Sequence, residues 1–217
     1  VIPTENLLDA IAKEHPAIAR FVFISSLAAF GPSSRAHPHS EGDIRRPIEF
    51  YGQSKLEAEH AVERSTIPWT IVRPSGVYGP GDADYFNLFR EIEGGRNVFF
   101  GNEHRLFSAI YVDDLIDAIL RASASEKSIG KGYFVDDGRI VTWGEFQKAI
   151  VDASGRRVLT LRLPEAVTVS TTGYYGRFHN MNDVVIDFTS AACTSAPPES
   201  IRGLAAYVTR QVEGQAF

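Results

Sequence analysis

Tyr51 and Lys55 stand four residues apart in the stretch YGQSKLEAE. Apolar residues there recur at helical spacing, and on a helix both side chains then share one face, one turn apart. A tyrosine hydroxyl, with an ordinary pKa near 10, is a poor base at neutral pH. A lysine ammonium held beside it favours the phenolate and lowers that pKa. A lowering of about three units needs roughly 4 kcal/mol of differential stabilisation. So tuned, a tyrosine can exchange a proton with a carbonyl or hydroxyl oxygen. The pair alone is weak evidence, since an exposed tyrosine and a solvated lysine can share the same spacing. Two further features add weight. Ser25 and Ser26 close the apolar run RFVFISS, and Arg73–Asp82 (RPSGVYGPGD) follows the apolar run PWTIVRP. Parallel α/β sheets place their ligands at such strand ends, where a serine hydroxyl can hydrogen-bond a reacting oxygen.

The elements that must position these residues alternate. Leu7, Leu8, Ile11 and Ala12 predict a helix over 1–15, stopped by Pro16. Buried parallel strands are expected over 20–26 and 68–74, separated by a polar loop at 31–50 and a helix over 51–65. A Gly/Pro loop at 75–84 leads to a helix over 85–93 closed by Gly94 and Gly95. Short strands are expected near 98–100, 108–112, 133–135 and 158–163. A helix with an acidic start covers 113–122. Thr142 and Glu145 fit a capping box, so another helix runs to about residue 153. Residues 165–198 carry no clear pattern, and a last helix is expected near 199–212. Strands alternating with helices of ten to fifteen residues predict an α/β fold with a parallel sheet.

Composition narrows the classes. The chain of 217 residues is 44% hydrophobic and 23% charged, which argues against disorder. The net charge of −5 gives no general attraction to nucleic acid or to an anionic membrane surface. Cys193 is the only cysteine, so neither an internal disulfide nor a cysteine-based zinc cluster is available. No apolar run approaches the ~20 residues of a membrane helix. The expectation is a cytoplasmic α/β enzyme acting on a small molecule. His37 and His39, near Glu41 and Asp43, read as a solvated loop rather than a metal site, and Asp136–Asp137–Gly138 reads as a turn. Tyr174, Tyr175, Phe178 and His179 read as cover for the core or lining for a pocket.

Taken in order, FVFISSLAAFG, YGQSKLEAE, IVRPSGVYGPGD and FSAIYVDDLIDAIL resemble consecutive motifs of the extended short-chain dehydrogenase/reductase family, the NAD-dependent epimerase/dehydratases. The resemblance covers roughly residues 4–146. It implies the C-terminal part of a Rossmann-type doubly wound parallel sheet with a small substrate-binding α/β region. Residues 1–150 would form a partial NAD(P)-binding domain with interleaved substrate-binding segments, and 151–217 a C-terminal substrate-binding region and tail. By the same resemblance Ser26 is the catalytic hydroxyl and Tyr51 the acid/base. Lys55 tunes Tyr51 and holds the nicotinamide ribose of NAD or NADP. Ser25, Pro74, Ser75, Gly76 and Val77 lie beside the cofactor, and Asp113 is structural. Family members commonly pair two helices per subunit into a four-helix bundle. That implies a homodimer through 1–15 and 51–65, with Leu56 and Ala61 as candidate interface residues.

The departures also matter. None of the 18 glycines forms G-x-G-x-x-G or G-x-x-G-x-x-G, the turn that binds the cofactor pyrophosphate. The expectation is a fragment without the cofactor-binding N-terminal half. Leu27 and Ala28 stand where 4,6-dehydratases carry an Asp-Glu pair, which argues against that chemistry. Phe107 stands where many sugar-nucleotide epimerases carry a phosphate-binding arginine, although Arg105 is close. The readings left open are a dehydrogenase or reductase of a less polar carbonyl or hydroxyl compound, a nucleotide-sugar epimerase, and a non-catalytic relative.

Overall fold

A computed structural model describes residues 2–100 and 102–163. The expectations for residues 164–217, including the last helix, Cys193 and the Tyr174–His179 cluster, lie outside them. Helix α1 (Ile2–Glu14) precedes strand β1 (Phe21–Ile24), and a single 3-10 turn, Leu27–Ala29, follows the strand. After the long loop come helix α2 (Phe50–Arg64), strand β2 (Trp69–Pro74) and the short strand β3 (Gly76–Tyr78). Helix α3 (Ala83–Glu93) leads to β4 (Arg96–Phe100), β5 (Leu106–Phe107) and β6 (Ala109–Tyr111). Helix α4 (Val112–Ala124), β7 (Lys131–Val135), β8 (Val141–Thr142), helix α5 (Trp143–Ser154) and β9 (Leu159–Leu163) complete the order. The expected capping box starts α5: the Thr142 hydroxyl accepts from Glu145 N, and the Glu145 carboxylate accepts from Thr142 N.

β1, β2 and β7 form a parallel three-stranded sheet with β2 in the centre. Alternate residues of a strand point to opposite faces. Accordingly Phe21, Phe23 and Ile71 pack against Leu8 of α1 and Ala61 and Val62 of α2. Val22 and Val72 pack on the other face against Leu115 and Ala122 of α4. The sheet is therefore covered by helices on both sides, which is why its strands read as unbroken apolar runs.

A second region is built from three two-stranded pairings, β3 with β6, β4 with β9 and β5 with β8. Its core is aromatic: Tyr78, Tyr85, Phe89, Phe107 and Phe146 pack with Ile92 and Ile150. Three details differ from the sequence reading. The 75–84 loop contains β3, and β5 and β8 are additional. The 31–49 segment packs onto the fold: His39 lies edge-on to Phe30, and Glu41 accepts a hydrogen bond from Phe134 N at 3.3 Å. Leu56 and Ala61 are not left over for an interface. Ala61 is buried against Leu8, and Leu56 packs on the cluster of Leu27, Phe30 and Phe134. α2 needs both to cover the sheet.

Candidate active site

The C-terminal ends of the three parallel strands lie together. Ser25 and Ser26 follow β1, Ser75 follows β2, and Asp136 and Asp137 follow β7. The first turns of α2 pack against the 3-10 turn after Ser26. Gly52 permits this approach, since a Cβ there would overlap the carbonyl oxygen of Ala28.

The approach brings Lys55 to the end of β1. Its Nζ donates to the carbonyl oxygen of Ile24 at 3.0 Å and lies 5.5 Å from the Phe23 ring centroid and 5.7 Å from that of Tyr51. The two residues meet as their spacing predicts. Tyr51 is 54% exposed. Burial lowers the Lys55 pKa, and the charge of Glu59 opposes that shift. A partly desolvated cation acts more strongly on its neighbours than one in water.

Ser26 caps the 3-10 turn, its Oγ accepting from Ala28 N at 3.2 Å. A hydroxyl that accepts in this way keeps its own proton for another acceptor. Ser25 is buried and its N donates to Val72 O at 2.7 Å. Its hydroxyl is sealed from solvent near the Glu59 carboxylate, without a well-formed hydrogen bond to it. Pro74, Ser75, Gly76 and Val77 form the passage from the three-stranded sheet to the second region. Ser75 N donates to Val135 O at 3.0 Å, and Gly76 N donates to Ser108 O at 3.2 Å. A Cβ at Gly76 would overlap the Tyr85 hydroxyl. Asp113 lies in the first turn of α4, where the helix dipole favours a carboxylate.

Two groups were missed in the sequence. Asp136 and Asp137 do form a turn, with Asp136 accepting from Gly138 N at 2.9 Å and Asp137 from Arg139 N at 3.0 Å. Burial nevertheless pushes the Asp136 carboxyl up to about 7 and that of Asp137 up to about 6. The signal available was their place directly after an apolar strand. The second group is the buried pair Glu59 and Arg73. Its signal was Glu59 at four residues beyond Lys55, continuing the same helix face. Phe107 lies in the aromatic core against Trp143 and Phe146, a packing role.

The chain matches the family model described as NAD dependent epimerase/dehydratase family over residues 1–135. It is 37% identical over 187 residues to short-chain dehydrogenase/reductase family 42E member 1 of Danio rerio, covering 74% of this chain and 47% of that protein. It is 27% identical over 175 residues to UDP-glucose 4-epimerase of Vibrio cholerae, covering 77% and 52%. The solved structure of UDP-glucuronic acid 4-epimerase from Bacillus cereus, in complex with UDP-glucuronic acid and NAD, is similar with a TM-score of 0.72 at 20% identity. That likeness covers 97% of this chain and 67% of the other, and shows the fold. The chain spans about half the length of the curated relatives it matches. The matched span runs from α1 to the last residue of β7 and contains the strand-end serines and the Tyr51–Lys55 pair; the chain belongs to the NAD-dependent epimerase/dehydratase family.

Proposed function

We propose that this chain carries the proton-transfer half of an NAD(P)-dependent oxidoreduction at a carbon bearing a hydroxyl or carbonyl oxygen. The observation that carries the reading is the exposed Tyr51 ring beside a partly desolvated Lys55 ammonium, at the end of a parallel strand. Bound NAD or NADP supplies the hydride acceptor or donor. The residues present suit the nicotinamide end of that cofactor. Among the described residues Lys55 spends one of its three N–H donors on Ile24 O, and the buried Ser75 hydroxyl has no partner. The sequence holds no glycine-rich turn for the pyrophosphate.

In this reading Tyr51 exchanges the proton of the substrate oxygen and Lys55 stabilises its phenolate. Ser26 donates its hydroxyl proton to the same oxygen. Segments near 75–112 and 139–190 form the substrate side; within the described residues β9 is tied to β4. The stretch that leads into Tyr51 carries three exposed apolar side chains, Ile44, Ile48 and Phe50, the last at 90%. They support a less polar substrate. A nucleotide-sugar epimerase is the second reading, favoured by the similarity to the Vibrio cholerae protein. The subunits are proposed to pair through the outer sides of α1 and α2.

The test is kinetic, on the intact protein. Tyr51→Phe is expected to lower kcat by about 100-fold or more. Lys55→Met is also expected to lower kcat, because the cation that would stabilise the Tyr51 phenolate is gone. A Tyr51→Phe enzyme with unchanged kcat defeats the assignment. Net reduction of NAD by an alcohol substrate, against none with a nucleotide sugar that is nonetheless interconverted, separates the two readings.

A further inference from the structure

Beneath the Tyr51–Lys55 face lies a set of charges that the proton-transfer scheme does not use. Glu59 is fully buried and Arg73 nearly so. Arg73 lies on the α2 side of β2, on the same face as Ile71. Its Nε donates to Glu59 Oε1 and its Nη2 to Glu59 Oε2, both at 2.9 Å. Its guanidinium is 5.0 Å from the Phe30 ring centroid and 5.9 Å from that of Phe134. The absence of a side chain at Gly132 leaves room for it, since a Cβ there would overlap the guanidinium. From the other side Arg45 Nη1 donates to Glu59 Oε2 at 2.6 Å and to Glu63 Oε1 at 2.7 Å, while its Nη2 donates to Glu63 Oε2 at 3.0 Å. One carboxylate thus joins α2, β2 and the 31–49 loop.

Glu59 is one turn from Lys55 and two turns from Tyr51. A buried bidentate pair fixes a helix about its own axis more tightly than apolar contacts, which tolerate sliding. We propose that Glu59 is a positioning residue, clamped by Arg73 and Arg45 so that α2 presents Lys55 to the Ile24 carbonyl and Tyr51 to the strand end. The use of this clamp rests on the proton-transfer reading, but its existence does not.

The charged groups around Lys55 give the clamp an electrical signature. On α2 these are Glu59, whose charge acts on Lys55, and the titratable Tyr51, its ring centroid at 5.7 Å. Arg73 from β2, and Arg45 from the loop with its partner Glu63, are linked to Lys55 through Glu59. β1 contributes only the Ile24 carbonyl and the Phe23 ring. Glu59 holds the Lys55 pKa up against burial. Its own carboxyl is pushed up by burial but brought below its usual range by Arg73, with Ser25 and Arg45 adding to the effect. It therefore stays charged at neutral pH.

The test reads Lys55 directly and needs no catalysis. The lysines of the full chain are reductively methylated with carbon-13, and the Lys55 signal, assigned by its loss in Lys55→Arg, is titrated by NMR. In Glu59→Gln the midpoint of Lys55 is expected to fall by about one unit, because an attractive charge is lost and two cations remain. In Arg45→Met it is expected to rise, because Glu59 is then less neutralised. A role confined to packing predicts no such opposed pair of shifts. Glu59→Gln strands the Arg73 charge and risks the fold, so Arg45→Met, at the edge of the network, decides alone if that variant does not fold. A rise there supports the clamp. A Lys55 midpoint that is unmoved or falls in Arg45→Met overturns it. Loss of activity in Tyr51→Phe bears on the proton-transfer reading only, so the two ideas fail separately.

Discussion

Asp136 has a folded-state pKa near 7 because burial disfavours its charge. In an unfolded chain the same carboxyl titrates near 3.9. Between those values the folded state holds a proton that the unfolded state has released. Stability therefore declines as pH rises from about 4 to about 7 and is level above that. Asp136→Asn removes the cost of the buried charge. It is expected to stabilise the protein by about 2 kcal/mol at pH 8 and by much less at pH 5. Urea denaturation at the two pH values checks this, and an equal gain at both removes the carboxyl as the cause. The contrast with Tyr51 and Lys55 shows what a sequence displays at this scale. Their relation is local, four residues along one helix, and spacing alone exposes it. Glu59 and Arg73 lie on different elements, and only burial on the same side of β2 makes them partners. The helical spacing puts Glu59 on the face of Lys55, but nothing local to Glu59 or to Arg73 shows that the two are partners.

At the scale of elements, the long helices and the three strands of the parallel sheet were legible because each carries its own periodicity or apolar run. The strands β3, β5 and β8 have two or three residues each. No period can be read over so short a span, and their partners lie at least 30 residues away in the chain. The fit between α2 and the turn after β1 was equally hidden, because it depends on the close approach at Gly52. Alanine at a helical position is ordinarily favoured over glycine by about 1 kcal/mol. At position 52 the added methyl meets the Ala28 carbonyl instead. Overpacking of this kind costs roughly 1–3 kcal/mol. Gly52→Ala is thus expected to lower stability by up to about 2 kcal/mol net and to move Tyr51 and Lys55 away from β1. Thermal denaturation checks the first effect and kcat the second. A Tm at or above that of the wild type shows that α2 can shift without loss.

At the scale of the molecule, the helix-covered parallel sheet was foreseeable, and the choice of interface residues was not. Helical spacing shows which residues share a face but not which of two neighbours that face meets, and Ala61 proved to face Leu8 of the same chain. The proposed pairing of subunits must therefore use residues that remain outside. On α1 the row Pro3, Leu7 and Ala10 is exposed, with Leu7 at 49%. α1 lies alongside α2, tied to it at the surface by Glu5 and Arg64, 3.8 Å apart. Two such helices from each of two subunits can close about a twofold axis, leaving no open end for further growth. A stable interface of this type buries on the order of 800 Å² per subunit and centres on apolar side chains. A lysine at position 7 places a charge within that centre, whereas on a free surface it costs almost nothing. Sedimentation of the wild type at micromolar concentration is expected to give twice the 23.9 kDa chain mass, and Leu7→Lys is expected to give the single chain with its fold intact by circular dichroism. A monomeric wild type, or a dimer indifferent to the lysine, places the contact elsewhere or removes it.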